Sequence, residues 1–415
     1  MTKTENDILN FIRKNSTYLF LAGVTVFGLL VRFYWLDYMS GDAKFYLLPW
    51  YSTIQSKGIS GLGEQVGNYN ILYQFIIYIL TLVPVKPLYA YKLLSVFFDF
   101  ALAAAAALIV DIDAPGRLID KIKSERFAEV YAAVVICPVV FLNSACWAQC
   151  DSIYVFFVFA SLYAYLKEKY ALMFVLYGLA FAFKLQAVFV LPFLLILYAA
   201  ERKFSVIHSL LAPLTFMAAA LPGLLMGRSL SDPVLIYVSQ TGKYNHVSMN
   251  YGSFWNCVIK TWSTGNTDYA DFKMAAVSFT VLLLCWLFFR VLKSEADMSV
   301  YRLICLLHIS VYTCVLFLPT MHERYGYIYE ITAIMLMFFN KKFFFPGIGV
   351  LLLSCMTYGW FLFVLPYSPL HISLLNVCLY IWYVYNIVSE QFTAGKKGTP
   401  NEIPLTERSS DIRTI

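Results

Sequence analysis

The sequence predicts an all-α polytopic membrane protein of about twelve transmembrane helices, whose long first external loop contains juxtamembrane helices. Three observations carry this expectation. Of 415 residues, 60% are hydrophobic and only 13% are charged, too apolar a balance for a soluble domain that must present a polar shell. The apolar residues fall in long runs separated by short polar turns, the pattern of helices sized to cross a bilayer. Lys and Arg then gather in alternate turns, as expected where basic turns stay in the cytoplasm.

Residues 1–16 read as a cytoplasmic N-terminus. Arg13 and Lys14 precede a run from about 17 to 36 that is long enough to span and lacks a convincing small-residue cleavage site, so it is expected to remain as the first helix. Further apolar runs fall near 88–110, 128–145, 150–167, 170–184, 186–200, 204–226, 273–293, 301–320, 324–340, 343–365 and 370–390. One more, ILYQFIIYILTLVPV at 71–85, is shorter than the roughly 20 residues that a crossing needs. If it spans, Arg117, Lys121, Lys123 and Arg126 lie outside. If it is a short interfacial or re-entrant helix, that loop joins Lys167/Lys169, Arg202/Lys203, Arg290/Lys293/Arg302, Lys341/Lys342 and Lys396/Lys397 in the cytoplasm. The basic residues therefore favour twelve. Residues 17–392 form the transmembrane domain, 38–86 and 228–272 are its long external loops, and 393–415 is a polar cytoplasmic tail expected to be disordered.

Composition narrows function. The net charge of +6 is spread over short loops and does not point to nucleic acid. Cys285, Cys305, Cys314, Cys355 and Cys378 sit in apolar runs as small hydrophobes, while Cys146 and Cys150 lack the spacing of a zinc site. No internal repeat of the kind built into duplicated transporters is evident.

The polar residues with chemical potential cluster on the external side. MHERYGYIYE at 321–330 puts His322, Glu323 and Arg324 at the mouth of an apolar run, where ionisable groups are costly and point to a charged ligand. DYMSGDAKFYLLPWY offers Asp37 and Asp42 after the first helix, with Trp50 beyond them. Asp42 reads equally as a carboxylate able to take a proton from a sugar hydroxyl or as part of a helix cap in which Ser40 or Asp42 starts the helix near Ala43. ACWAQCDSIY places Trp147, Gln149 and Asp151 at the end of a span. Asp151 has no cation beside it in sequence, so it requires a lysine, a sugar or a metal from elsewhere.

Lys184, beside Gln186, falls at the same boundary as His322 and Arg324, and the three suit an anion pocket. Lys92 and Asp99 share a helix face and are expected to neutralise each other or bridge to neighbours. The loop TGKYNHVSMNYGSFWNCVIKTW carries Trp255 among amides, a composition that suits carbohydrate and equally an ordinary folded loop. The DID at 111–113 falls on the cytoplasmic side and reads as a solvated turn.

The order of these pieces resembles the GT-C class of polytopic glycosyltransferases that use polyprenyl-phosphate sugars. It is similar to the endoplasmic reticulum glucosyltransferases of asparagine-linked glycan assembly and to bacterial membrane proteins related to the GPI-anchor mannosyltransferases. The matching elements are the acidic residue of SGDAKFYLLPWY, the Gln of WAQCDS, the Lys-Gln of KLQAVFVLP, NYGSFWN, and the His-Glu-basic MHERY, in that order over about residues 15–340. The resemblance implies that Asp42 is the catalytic base. It makes Lys184, His322 and Arg324 the ligands of the donor phosphate, and gives Gln149, Asp151, Trp50 and Trp255 to the sugar or acceptor. It implies transfer with inversion, no metal or other cofactor, a lipid-linked sugar donor and a glycan or lipid-linked acceptor. The compact external loops and the lack of an evident retrieval signal favour a bacterial cell membrane over the endoplasmic reticulum. The chain departs from the family in lacking, in its first loop, the Asp-Asp or Asp-Glu pair of the protein O-mannosyltransferases, in having Cys-Asp after Gln149 where the glucosyltransferases have Tyr-Asn, and in having Arg324 where they have Lys. The competing classes are a lipid-linked oligosaccharide flippase, expected to carry midplane charges and broken helices, and a polysaccharide polymerase, expected to rely on basic residues in two loops.

Overall fold

The computed structural model describes residues 1–116, 118–244, 246–258, 269–366 and 368–393. Almost all the tail at 393–415 lies outside these residues, as do Arg117, Lys260 and Trp262. Among the described residues regular structure is helical, apart from a two-residue parallel pairing of Ser248–Met249 with Met321–His322.

Each apolar run falls on helix. Ser16–Tyr34, Pro87–Val110, Tyr269–Ser294, Val300–Phe317, Lys341–Phe363 and Pro369–Gln391 are long and apolar enough to cross a bilayer unaided, which makes the chain a multi-pass integral membrane protein. A seventh passage is broken: Glu125–Val135 and Pro138–Cys146 meet at 51°. Pro138 lacks an N–H and forces the residue before it out of the helical region, and Cys137 accordingly sits at φ −61°, ψ 124°. Asp151–Leu166, Tyr170–Phe183, Leu185–Glu201, Val206–Ala219 and Tyr327–Phe339 are shorter apolar helices. Among the described residues, six of the expected spans, or seven if the bent pair is one, thus have the length and composition of an unaided crossing. At a rise of 1.5 Å per residue, a 13-residue helix such as Tyr327–Phe339 covers only ~20 Å.

The shortening has a local cause. Toward one end of the bundle the chain leaves the α-helix for π-helical turns at Ala43–Leu47 and Leu142–Cys146, a 3-10 turn at Leu185–Val190, and left-handed backbone at Ala148 and Thr320. Irregular backbone at membrane depth is tolerated where protein buries it. The run at 71–85 yields only the 11-residue Ile71–Thr81 helix, about 16 Å long, packed against Leu48–Lys57 and Pro87–Val110.

Val300–Phe317 and Tyr327–Phe339 form the centre, with every residue from Leu303 to Phe317 buried. Tyr327–Phe339 also packs on Pro87–Val110, Glu125–Val135 and Asp151–Leu166. Ser16–Tyr34 and Tyr269–Ser294 are peripheral and expose Val26, Phe27, Leu30 and Phe33, and Met274, Leu282 and Phe289 respectively. Apolar surface of that extent on a helix of this kind faces hydrocarbon.

Lys92 and Asp99 do not pair. Asp99 accepts from Arg32 Nε at 2.8 Å and from the Ser144 hydroxyl, all of them buried. Arg32 also donates to the carbonyls of Gly28 and Val135 at 3.1 and 3.0 Å. Only glycine fits at position 28, because an added Cβ would lie 2.4 Å from Val135 Cγ1. Lys92 donates instead to the carbonyls of Trp35, Leu36 and Tyr38 at 2.7, 3.1 and 2.7 Å. It thereby fastens the turn that follows Ser16–Tyr34 to Pro87–Val110.

Candidate functional site

At the irregular end of the bundle the structure brings together Asp42, Trp147, Gln149, Asp151, Lys184 and the His322–Arg324 turn. The first question is whether Asp42 is a cap. Ser40 Oγ accepts from Ala43 N at 3.1 Å, and the Asp42 side chain makes no capping bond. Ser40 Oγ in turn donates to the Trp147 carbonyl at 2.7 Å, so the cap also ties the first loop to the second element of the site. Asp42 is released to face inward, with its side chain 21% exposed.

Trp147 Nε1 and Gln149 Nε2 both donate to Asp42 Oδ2, at 2.9 and 2.7 Å. Their convergence depends on the backbone between them. The π-helical turn ends with Trp147 N bonded to the Leu142 carbonyl at 2.8 Å, and Ala148 then adopts φ +67°. Left-handed backbone costs a non-glycine residue roughly 1–2 kcal/mol, and such strain is concentrated at functional sites. Trp147 is fully buried, stacked on Phe361 at 4.6 Å and edge-on to Tyr358 at 5.1 Å.

Asp151 opens the helix Asp151–Leu166, where a carboxylate is favoured by the helix dipole. Its required partner is Lys184, 2.5 Å from Oδ1, with both side chains 2% exposed. Asn143 Nδ2 donates to Oδ2 at 2.8 Å. Lys184 sits in extended backbone just after Tyr170–Phe183, and its ammonium lies 5.4 Å from the centre of the Tyr69 ring.

Arg324 links the two acids. Its NH1 is 3.9 Å from Asp42 Oδ2, its Nε is 3.7 Å from Asp151 Oδ2, and its guanidinium lies 5.4 Å from the Trp147 ring centre. NH1 donates to Glu323 Oε1 at 2.9 Å. Glu323 is almost fully buried, with Oε2 3.8 Å from His322 Nδ1 and 3.4 Å from Asn250 Nδ2. Burial opposes its ionisation, but His322 and Arg324 outweigh burial and hold the carboxyl below its ordinary value. Burial likewise opposes the charge on Arg324, while Glu323, Tyr69, Asp151 and Asp42 push its pKa well up. The turn is fixed from outside by the short pairing with Ser248–Met249, by Thr320 N donating to the Val247 carbonyl at 3.0 Å, and by Thr320 Oγ1 donating to the His246 carbonyl at 2.9 Å.

Two cations, Lys184 and Arg324, therefore stand among three carboxylates, Asp42, Asp151 and Glu323. Among the described residues the cations keep donors to spare: Arg324 Nε has no hydrogen-bond partner, and only one ammonium donor of Lys184 is taken, by Asp151. Among the described residues, no three His, Cys, Asp or Glu side chains are arranged to share a metal ion.

Other expected site residues fall differently. Gln149, expected to orient sugar, is 3% exposed and spends its amide on Asp42 and on the Tyr69 hydroxyl, which donates to Oε1 at 3.2 Å. Trp50 stands edge-on to Tyr69 at 5.6 Å, against Gly67, and borders the site through that ring. Trp255 is not brought to the cluster: its indole N–H donates to the Phe317 carbonyl at 2.6 Å, and its ring packs on Phe254, Phe272 and Phe279. Asp111 of the DID ends Pro87–Val110 at the far end; the turn is not fully solvated, because Asp111 is buried and its carbonyl and that of Ile112 accept from Lys121. All nine cysteines are free. Sequence reasoning missed Asn143, which lies inside the π-helical turn Leu142–Cys146 and so has no periodic relation to Asp151. Tyr69, in NYNILYQF at 68–75, reads in sequence as an interfacial aromatic, and its place in a loop gives no spacing from which its partners follow.

No protein-family model matches the chain, and no curated protein matches it.

Proposed function

We propose that the protein is a GT-C-type membrane glycosyltransferase. It moves a hexose, mannose or glucose, from a polyprenyl-phosphate sugar to a glycan or lipid-linked acceptor on the extracytoplasmic face of a bacterial membrane, with inversion. In this reading the broken passage and the five shorter apolar helices also cross, giving twelve crossings. The observation that carries the reading is the divided carboxylate of Asp42. Two N–H donors occupy Oδ2, no described residue bonds Oδ1, and the cation Arg324 lies 3.9 Å away.

The chemistry follows from that arrangement. The acceptor hydroxyl gives its proton to Asp42 Oδ1 as its oxygen bonds to the anomeric carbon. The bond from that carbon to the phosphate oxygen breaks, and its electron pair leaves with the polyprenyl phosphate. Arg324, His322 and the free donors of Lys184 stabilise the charge that develops there. Asp151 and Glu323 hold those cations in place before the donor arrives, so little reorganisation is needed during reaction.

The test is acceptor-dependent release of polyprenyl phosphate by the purified protein, offered a panel of polyprenyl-phosphate hexoses in lipid nanodiscs with candidate glycan acceptors. Release with one hexose, lost in Asp42→Asn, is expected. Absence of transfer across the panel, together with lipid-linked oligosaccharide crossing the bilayer, would replace the reading with that of a flippase.

A further inference from the structure

We propose that Tyr69 is a positioning residue that acts through Gln149 to hold the Asp42 carboxylate, so that Oδ1 and not Oδ2 is the oxygen that takes the proton. The inference rests on the glycosyltransferase reading for its catalytic meaning and on hydrogen-bond geometry for its structural content.

A side-chain amide fits its space equally well either way round, and its neighbours decide which end faces which group. Gln149 meets Asp42 Oδ2 at 2.7 Å on one side and the Tyr69 hydroxyl at 3.2 Å on the other. A carboxylate only accepts, so the NH2 must face Asp42. The carbonyl then faces Tyr69, whose hydroxyl must donate. Burial pushes the Tyr69 pKa well up, which keeps the hydroxyl protonated for that task. A donor on Oε1 polarises the amide and strengthens the bond from Nε2 to Oδ2. The Trp147 indole adds a second donor to Oδ2 at 2.9 Å. A hydroxyl proton arriving at Asp42 then meets one oxygen already saturated and one free.

Tyr69 is itself held from outside. Its carbonyl accepts from Gln74 Nε2 and Gln65 Nε2, both at 3.0 Å. The carbonyl oxygens of those two amides accept from Arg228 at 2.8 and 2.7 Å. Arg228 Nε also donates to the Leu62 carbonyl at 2.8 Å. Hydrogen bonds therefore run from Arg228 in the second external segment, through Gln65 and Gln74, to the backbone carbonyl of Tyr69, and the Tyr69 hydroxyl carries them on to Gln149 and Asp42. Among the described residues, Arg324 is the one cation within 4 Å of the Asp42 carboxylate.

Tyr69→Phe keeps the ring that packs on Trp50 and Tyr73 and lies under Lys184, and removes only the donor. Two readouts are needed: the acidic limb of kcat/KM against pH, and the pH at which Asp42 becomes reactive to a water-soluble carbodiimide, read by peptide mass spectrometry. Gln149→Leu removes a charge-assisted donor from Asp42 and is expected to move both midpoints up by about one pH unit. Tyr69→Phe is expected to move them in the same direction by less, and to add nothing in the Gln149→Leu background. A Tyr69→Phe shift that persists without Gln149, or no shift at all, overturns the positioning role. The labelling readout needs no turnover, so failure of the transfer assay would sink the glycosyltransferase reading alone.

Discussion

Asp42→Asn separates chemistry from folding at this site. Asparagine has the shape of aspartate, and its carbonyl oxygen can take the place of Oδ2, accepting from Trp147 Nε1 and Gln149 Nε2 as the carboxylate does at 2.9 and 2.7 Å. Its NH2 then stands where Oδ1 stood and cannot accept a proton. Two hydrogen bonds to a charged group become bonds to a neutral one, a stability loss of about 1 kcal/mol. The catalytic loss is larger, because a positioned general base is worth about 10²–10⁴ in rate, or ~3–5 kcal/mol of barrier. Asp42→Ala differs: it strands the buried Trp147 indole and the Gln149 amide, at about 1–3 kcal/mol for each unsatisfied donor. The assay is kcat for polyprenyl phosphate release at saturating donor, measured beside thermal unfolding of the same preparations. Asp42→Asn should unfold within a few degrees of the wild type and turn over at least a hundredfold more slowly, while Asp42→Ala should be less stable than either. An Asp42→Asn protein with kcat within about tenfold of wild type, a difference of ~1.4 kcal/mol, would refute the assignment of the base.

The helical architecture was legible because each apolar run had to satisfy its backbone internally, and every such run is helix. The lengths were not. Hydropathy cannot see that residues 321–326 form a turn held to a distant loop, so the run beginning at 324 gives a helix that starts only at Tyr327. Pro138 was visible, yet the 51° break it marks needs both flanking helices to be placed. Lys92 shows the same limit from the polar side. Its cost was evident in sequence, but it is answered by three backbone carbonyls, and backbone partners leave no trace in composition.

The site was legible in part for a related reason. Asp151 near an apolar run demanded a partner, and Lys184, 33 positions along the chain, supplies it. The choice between base and cap for Asp42 was open because Ser40 and Asp42 both precede Ala43 at usable spacing. The structure gives the cap to Ser40, which holds Ala43 N and the Trp147 carbonyl together. What no spacing rule conveyed is that left-handed backbone at Ala148 aims residues 147 and 149 at one oxygen, so that both donate to Asp42 Oδ2.

Three further outcomes follow from the charges. Asp99→Asn leaves the buried Arg32 without its counter-ion and should cost about 3–5 kcal/mol, whereas Arg32→Met with Asp99→Leu should recover much of that in detergent unfolding; a double variant as unstable as the single would show that the pair is not what links these helices. Lys184→Met should destabilise by stranding Asp151, while Lys184→Met with Asp151→Asn should fold but bind polyprenyl phosphate at least tenfold more weakly by calorimetry; unchanged affinity would reduce Lys184 to a structural partner. The Glu323 carboxyl is lowered in the folded protein by His322 and Arg324 despite burial, so it binds protons less readily folded than unfolded. Its contribution to stability is therefore complete above the ordinary glutamate value of about 4.3 and is lost as pH falls through the lower folded value. Glu323→Gln should accordingly be less stable than wild type at pH 7, with the difference closing as pH is taken below about 4. A stability gap that stays constant across that acid range would mean that Glu323 supports the turn through shape and the Asn250 contact, without the charges of His322 and Arg324.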